Sequence, residues 1–434
     1  MTATSVSASG DLQRHSHAPE INPMGDAGRQ SLTWLQRSSR TAFKSWLNNL
    51  QGGTIHLKDS WQHLTAGSSV ESDLHADWNI TDPQFFSHLA TAGSLGVAES
   101  YLQGHWNTDD LTNLLRILCR NLHCIPAGTS PVAWFAGFLN RLRAWYQPNT
   151  KQASRRRIAA HYDLSNQFFE LFLDPTMMYS SGWFETPQTT LHQASTAKLE
   201  RICRKLDLQS GDHLLEIGTG WGGFSTHAAE QFGCRVTTTT ISEAQLNYSR
   251  ERIQSTGLDH RIELLNKDYR DLEGEFDKVV SIEMVEAVGE QYLDTYFGQC
   301  ARLLKPGGRL VIQAIVMPEE RFSRYRKSVD FIQKYIFPGG FLPSVSAMQE
   351  SVGRTSNLRL ESLEDCSDHY ALTLRAWRER FFQRIDDVRE LGFDERFIRM
   401  WEYYLCYCEA AFREEAVRVV QIVWDKPLFP ATTP

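Results

Sequence analysis

Between His213 and Gln313 the chain alternates short apolar runs with helical patterns, and this alternation restricts the fold more than any other feature. The runs His213–Ile217, Arg235–Ile241, Ile262–Leu265, Lys278–Glu283 and Arg309–Ile315 read as strands. Helical patterns separate them at Phe224–Phe232, at Glu243–Ser255 with Ser242 as its cap, and at Tyr292–Leu304, where Lys305-Pro306-Gly307-Gly308 reads as a turn. The Lys278–Glu283 run is apolar nearly throughout, as a strand buried on both faces must be. Such alternation predicts an α/β fold with a doubly wound, parallel sheet, and a ligand at the carboxyl ends of its strands. An insert from Met317 to about Leu342 interrupts the pattern as a helical lid. Mostly helical sequence fills 370–415, and Arg418–Trp424 supplies a terminal strand.

The chain ahead of this region divides by composition. Residues 1–30 are rich in Ser, Thr, Gly and His and read as a disordered tail. Residues 31–125 read as a small α/β domain. Its first helix carries Phe43, Trp46, Leu47 and Leu50 on one face, stops at Gly52-Gly53, and leads into a strand at Thr54–Leu57. Ile125–Pro131 opens a linker and connecting helix over 126–160, and 161–434 form the main domain.

Composition removes several function classes. A net charge of −7 argues against nucleic-acid binding. Eight cysteines without a C-x-x-C pair suit neither a zinc site nor a disulfide framework, which points to a reducing cytoplasm and to no metal centre. No run of 18 apolar residues occurs, so contact with a membrane is expected to be peripheral, on its inner face. Basic clusters at Arg155–Arg157, Arg321–Lys327 and Arg375–Arg380 are either solvated faces or a surface for an anionic bilayer.

LEIGTGWGGF, residues 215–224, contains the glycines of a dinucleotide fingerprint at Gly218, Gly220 and Gly223. Its usual companion, an acid about 20 residues further on, is missing, because that position falls in Thr237-Thr238-Thr239-Thr240-Ile241-Ser242. Glu216 precedes the glycines, where a carboxylate would repel a phosphate and suit a cation. Asp268-Tyr269 closes the third strand with an acid and a ring able to bracket an adenine. An acid before the glycines and a later Lys-Pro-Gly-Gly turn are the layout of S-adenosylmethionine methyltransferases. The plainer alternative is a glycine turn that only packs helix on strand.

The wider sequence resembles the cyclopropane fatty acid synthase family over about residues 40–425. The resemblance rests on ordered motifs: SLGVAESYLQGHW (94–106), HYDLSNQFFELFLDPTMMYSSGW (161–183), LEIGTGWGGF, TISEAQ (240–245), KDYRDLEG (267–274), SIEMVEAVG (281–289), YFGQCARLLKPGG (296–308), KYIFPGGFLPS (334–344) and YYLCYCEAAFR (403–413). It implies methyl transfer from S-adenosylmethionine onto a cis double bond of a membrane phospholipid's unsaturated acyl chain, with cyclopropane formation the first expectation. The small domain would engage the lipid, and a homodimer is the assembly common in the family. Cofactor contacts carry over to Tyr179, Ser180, Glu216, Gly218, Gly220, Trp221, Gly222, Gly223, Thr240, Ile241, Ser242, Gln245, Asp268 and Tyr269.

Methyl transfer to an alkene leaves a cation that must lose a proton. The resemblance implies bicarbonate as the base, with surroundings that map onto Glu286, Tyr370, Ser181 and Gln313. Two of these depart from the family: Ser181 stands for Cys and Gln313 for His. Gln donates a hydrogen bond but carries no positive charge toward an anion, which puts bicarbonate and ring closure in question. Tyr370 is read as functional, with a core tyrosine as the alternative. Cys408 has a family counterpart sometimes called catalytic, but it reads first as a small hydrophobe beside the pocket. Phe331, Tyr335, Ile336 and Phe337 either line an acyl channel or fill the core. The competing functions are methyl-branching or methylene-forming acyl methylation, methylation of an amine, and a non-catalytic lipid-binding protein.

Overall fold

The computed structural model describes residues 31–67, 73–121 and 164–429. The expected tail, the linker and the Arg155–Arg157 cluster lie outside the described residues.

Helix α1 (Trp34–Leu47) begins at a Thr33/Gln36 capping box and buries Phe43 and Leu47. Strands β1 (Thr54–Asp59), β2 (Gln62–Gly67), β3 (His75–Ile80) and β4 (Trp106–Asn107) form a four-stranded sheet in the order β2-β1-β3-β4. Helix α2 (Gln84–Leu102) spans a break at Gly93, where φ is +57°, and α3 (Leu111–Arg120) completes the unit. Its core is aromatic. The Phe43 ring meets Trp78 edge-on at 5.2 Å, and Trp106 Nε1 donates to Val97 O at 2.9 Å, so the indole is buried without an orphaned donor.

The larger unit opens with α4 (Asn166–Phe172) and α5 (Leu191–Leu206). It then alternates β5 (His213–Ile217), α6 (Gly223–Phe232), β6 (Arg235–Thr239), α7 (Glu243–Ser255), β7 (Ile262–Leu265), β8 (Phe276–Ile282), α8 (Leu293–Leu303) and β9 (Leu304–Val316). After the insert, with its short helix α9 (Glu319–Tyr325), come α10 (Val345–Thr355), β10 (Arg359–Asp365), α11 (Ser367–Gln383), α12 (Ile385–Glu390), α13 (Glu395–Arg413) and β11 (Arg418–Asp425). The seven-stranded sheet runs β10-β11-β9-β8-β5-β6-β7. Strands β9 to β7 are parallel, as the alternation predicts, whereas β11 lies antiparallel between β9 and β10. The order reverses between β5 and β8, the switch point at which such sheets hold ligands. One expected turn differs. Lys305–Gly308 belongs to the start of β9, because Gly307 N pairs with Lys426 O across to the end of β11.

The two units share one apolar core that runs from Trp78 and Trp106 to Phe168, Trp401 and Tyr403. Polar contacts fix the docking. Tyr101 Oη donates to Glu402 Oε2 at 2.7 Å, Arg399 Nη2 to Trp106 O at 2.9 Å, and Glu414 accepts from Arg116 Nε at 2.7 Å and Arg120 Nε at 2.5 Å. No described helix is long and apolar enough to cross a membrane.

Candidate active site

At the carboxyl ends of β5 and β6 the chain turns through Gly218 (φ +106°), Gly220 (φ +55°) and Gly222 (φ +81°) before α6 starts. Glycine adopts these angles without a Cβ clash. A Cβ at Gly220 would meet no atom within 4 Å, and Gly220 lies on the wall of a cavity of about 1470 Å³. Gly223 does a different job. A Cβ at Gly223 would sit 2.4 Å from Thr176 O, so Gly223 lets α6 pack on the 175–178 segment.

Glu216 is buried on this wall beneath the loop, with Oε2 accepting from Thr238 Oγ1 at 2.6 Å. Burial pushes its pKa up to about 8, against which Thr238 and the charge of Lys198 pull it down. Lys198 is buried as well, donates to Ser180 Oγ at 2.8 Å, and is lowered to about 8 by the same desolvation. A buried carboxyl that faces a cavity and has no cation at hydrogen-bond distance among the described residues suits a ligand that brings its own ammonium.

The remaining expected cofactor residues gather around this loop. Tyr179, Ser180, Trp221, Thr240, Ile241, Gln245, Asp268 and Tyr269 line the same cavity. Thr240 Oγ1 donates to Gln245 Oε1 at 3.0 Å, and Ser242 sits behind as the buried cap of α7, accepting from Gln245 N. Asp268 is fixed by Arg270, whose Nε and Nη2 donate at 2.8 and 2.7 Å. No carboxylate closes β6, in keeping with its Thr-rich sequence.

The four residues mapped to the anion divide into two layers. Glu286 and Tyr370 line the cavity, while Ser181 and Gln313 are buried behind it. Between the layers stands a residue the sequence analysis assigned no role, Glu283. Its Oε1 accepts from Ser181 N at 2.9 Å and Gln313 Nε2 at 2.7 Å, and its Oε2 from Tyr370 Oη at 2.7 Å. Gln313 is locked in this orientation because its own Oε1 accepts from Gln421 Nε2 at 2.9 Å. Glu286 Oε1 accepts from Ile315 N at 2.5 Å, whereas its buried Oε2 has no hydrogen-bond partner among the described residues. Burial first, and the charge of Glu283 second, push the Glu286 pKa up to about 8.

Aromatic rings surround these acids. Tyr370 stacks on Phe412 at 4.6 Å, and Tyr179 packs against Trp377 at 5.1 Å while sharing a 2.9 Å hydrogen bond with Tyr404. Cys408 is on the wall, its thiol pushed well above the ordinary range by burial. Of the insert residues, Phe337 lines the cavity and Phe331 and Ile336 are core. Tyr335 Oη donates to Glu99 at 2.9 Å. The cavity then continues into the small unit, where Trp46, Leu89, Val97 and Leu118 extend its apolar wall.

The sheet order, the glycine loop and the acid beneath it define an S-adenosylmethionine-dependent methyltransferase. Its particular kind follows from comparison: a family model described as mycolic acid cyclopropane synthetase matches residues 149–422, and the chain belongs to that family. The tuberculostearic acid methyltransferase UfaA1 of Mycobacterium tuberculosis is 42% identical over 355 residues, 78% of this chain and 82% of the relative. The cyclopropane-fatty-acyl-phospholipid synthase of Escherichia coli is 33% identical over 387 residues, 85% and 94% of the two chains. Among solved structures, the mycolic acid cyclopropane synthase CmaA1 complexed with S-adenosylhomocysteine and CTAB is similar at TM-score 0.59 and 31% identity, covering 63% of this chain and 98% of that one. The family comprises S-adenosylmethionine-dependent lipid methyltransferases and cyclopropane synthases.

Proposed function

We propose that the protein transfers a methyl group from S-adenosylmethionine to a cis double bond in an unsaturated phospholipid acyl chain. The observation that carries this reading is the single cavity joining the glycine loop to the apolar wall of the small unit. An amine acceptor has no use for that extension, and the buried acids and cofactor loop weigh against a non-catalytic lipid binder.

When bound, S-adenosylmethionine supplies an electrophilic methyl group. Glu216 would hold its ammonium, the backbone at Gly218 and Gly220 would approach it closely, Thr240 and Gln245 would serve the ribose, and Asp268 and Tyr269 the adenine. An isolated alkene is a weak nucleophile, so the enclosed apolar wall must hold it in contact with the methyl group and exclude water. The faces of Tyr179, Tyr370 and Phe412 stabilise positive charge developing on the acyl chain. The small unit engages the lipid at a membrane surface. Ring closure is the first product reading, supported by the E. coli relative. An open-chain methyl or methylene branch is the second, favoured by the relative named as a methyltransferase, the more similar of the two at 42% identity.

Mass spectrometry of cis-monounsaturated vesicles after incubation with methyl-trideuterated S-adenosylmethionine tests the reading. Three retained deuterons mean an open-chain branch. Two mean ring closure or an exocyclic methylene, which hydrogenation separates. Absence of label from lipid sinks the proposal.

A further inference from the structure

Glu283 accepts from three donors. The Ser181 amide, the Gln313 carboxamide and the Tyr370 hydroxyl belong to the residues that the resemblance assigns to bicarbonate, and here they bind a side-chain carboxylate. A carboxylate and a bicarbonate present the same pair of oxygens to such donors, so the donor set is already filled. A second anion beside it would face both Glu283 and Glu286, with Lys198 the cation whose charge reaches Glu283. Bicarbonate therefore does not fit this site.

The backbone supports the same assignment. Glu283 has φ +49°, a left-handed conformation that non-glycine residues adopt at an energetic cost. Strain of this kind persists where surrounding structure enforces it, and it concentrates at functional sites. Here Glu283 N is held by Gln313 O at 2.7 Å just beyond the end of β8, which aims the side chain at the cavity wall.

We propose that the Glu283 carboxylate is the enzyme's resident base and takes the proton that the methylated acyl chain loses. The assignment rests on the proposed acyl methylation. In that step the alkene π pair forms the new C–C bond as the methyl–sulfur bond breaks, leaving the adjacent chain carbon electron-deficient. A neighbouring C–H bond gives its electron pair to that carbon, and its proton goes to a Glu283 carboxylate oxygen. The acid returns the proton to solvent after product leaves, and no oxidant or reductant is needed. The titratable groups facing Glu283 are Tyr370 on α11, Lys198 on α5 and Glu286 in the turn after β8. Burial raises the Glu283 pKa, and its donors and Lys198 oppose the rise; a raised pKa makes the carboxylate a stronger base.

The test uses the full chain, cis-monounsaturated phospholipid vesicles and labelled S-adenosylmethionine in carbon-dioxide-free buffer, with and without added bicarbonate. The wild type is expected to label lipid equally in both; a wild type that needs added bicarbonate overturns the proposal. Glu283→Gln keeps the shape and loses the base, so turnover should fall roughly 10²–10⁴-fold, while S-adenosylhomocysteine still raises Tm as in the wild type. Turnover within a few-fold of wild type overturns it. Glu283→Gly suits the left-handed backbone and empties the donor set. Added formate or bicarbonate should restore its labelling, and formate should raise its Tm but not that of the wild type. Loss of both effects in a folded variant overturns the proposal, and Glu283→Gln decides if that variant does not fold. A wild type that labels no lipid in either buffer defeats the acyl reading instead, and the formate shift of Glu283→Gly then decides whether the carboxylate occupies an anion site.

Discussion

Glu216 and Thr238 are paired across neighbouring parallel strands, and the threonine hydroxyl donates to the carboxyl at 2.6 Å. That contact offsets only part of the burial of Glu216, whose pKa of about 8 exceeds the ordinary 4.5. Between these values the unfolded chain is charged while the ligand-free fold keeps the acid neutral. The group's contribution to stability is complete below 4.5 and is lost as pH rises through 8, at up to about 1.4 kcal/mol per pH unit. Glu216→Gln removes this titration. The variant is expected to melt higher than wild type at pH 8 and to bind S-adenosylhomocysteine at least ~10-fold more weakly, since a charged partner for its ammonium is gone. Melting curves across this window and calorimetric titration check both signs; a variant with wild-type affinity removes Glu216 from the cofactor site.

Tyr370→Phe keeps the stack on Phe412 and deletes one donor to Glu283. Because that hydrogen bond lowers the Glu283 pKa, its loss should raise it further. The expected result is a kcat reduced ~10–100-fold with little change in KM. The rising limb of the pH profile should also move upward. An unshifted profile with full activity would make Tyr370 the core tyrosine of the plainer reading.

Trp46 is on the cavity wall contributed by the small unit, whereas Glu216 lines it from β5 of the larger unit. Trp46→Ala is expected to raise the KM for vesicles several-fold, about 1 kcal/mol of lost apolar contact, with kcat and S-adenosylhomocysteine binding unchanged. Steady-state kinetics on vesicles separate these terms. Equal loss of kcat would assign the residue a structural role.

Cys408 borders the cavity as a neutral thiol, because burial disfavours the thiolate. Nucleophilic attack requires the thiolate. The folded protein should therefore leave Cys408 unalkylated by iodoacetamide at pH 8, as read by peptide mass spectrometry, and alkylate it after denaturation. Rapid modification in the native state would reopen a catalytic role.

The elements easiest to read in the sequence are the strands and helices of the central alternation, each bounded by a glycine turn or a capping residue. β5 and β7 occupy the residues that the pattern predicts, whereas the Thr-rich β6 stops at Thr239 rather than Ile241 and β8 runs from Phe276 to Ile282. β10 escaped because it is an exposed edge strand without apolar alternation. β11 was legible as a strand, but its antiparallel place inside the sheet depends on pairing with β9, a long-range relation. In the site, Glu216 announced itself near the end of β5, just before the glycines, and Glu286 by its position after β8. Lys198 did not: on a helix rich in Lys, Arg and Glu it looks solvated, and only the packing of α5 against the sheet buries it. Glu283 was concealed inside SIEMVEAVG, where its adjacency to Glu286 gave no sign that its oxygens meet residues about 100 positions before it and about 30 and 90 after it.

The left-handed backbone at Glu283 has an evolutionary consequence. Glycine accepts that conformation freely, and every glutamate codon becomes a glycine codon by one transition at its second base. On the proposed role of Glu283, that one step would exchange a covalently tethered base for an open anion receptor, or the reverse, at a backbone conformation that glycine accepts. Dependence on dissolved carbonate is then a trait that such enzymes can gain or lose without remodelling the pocket around it.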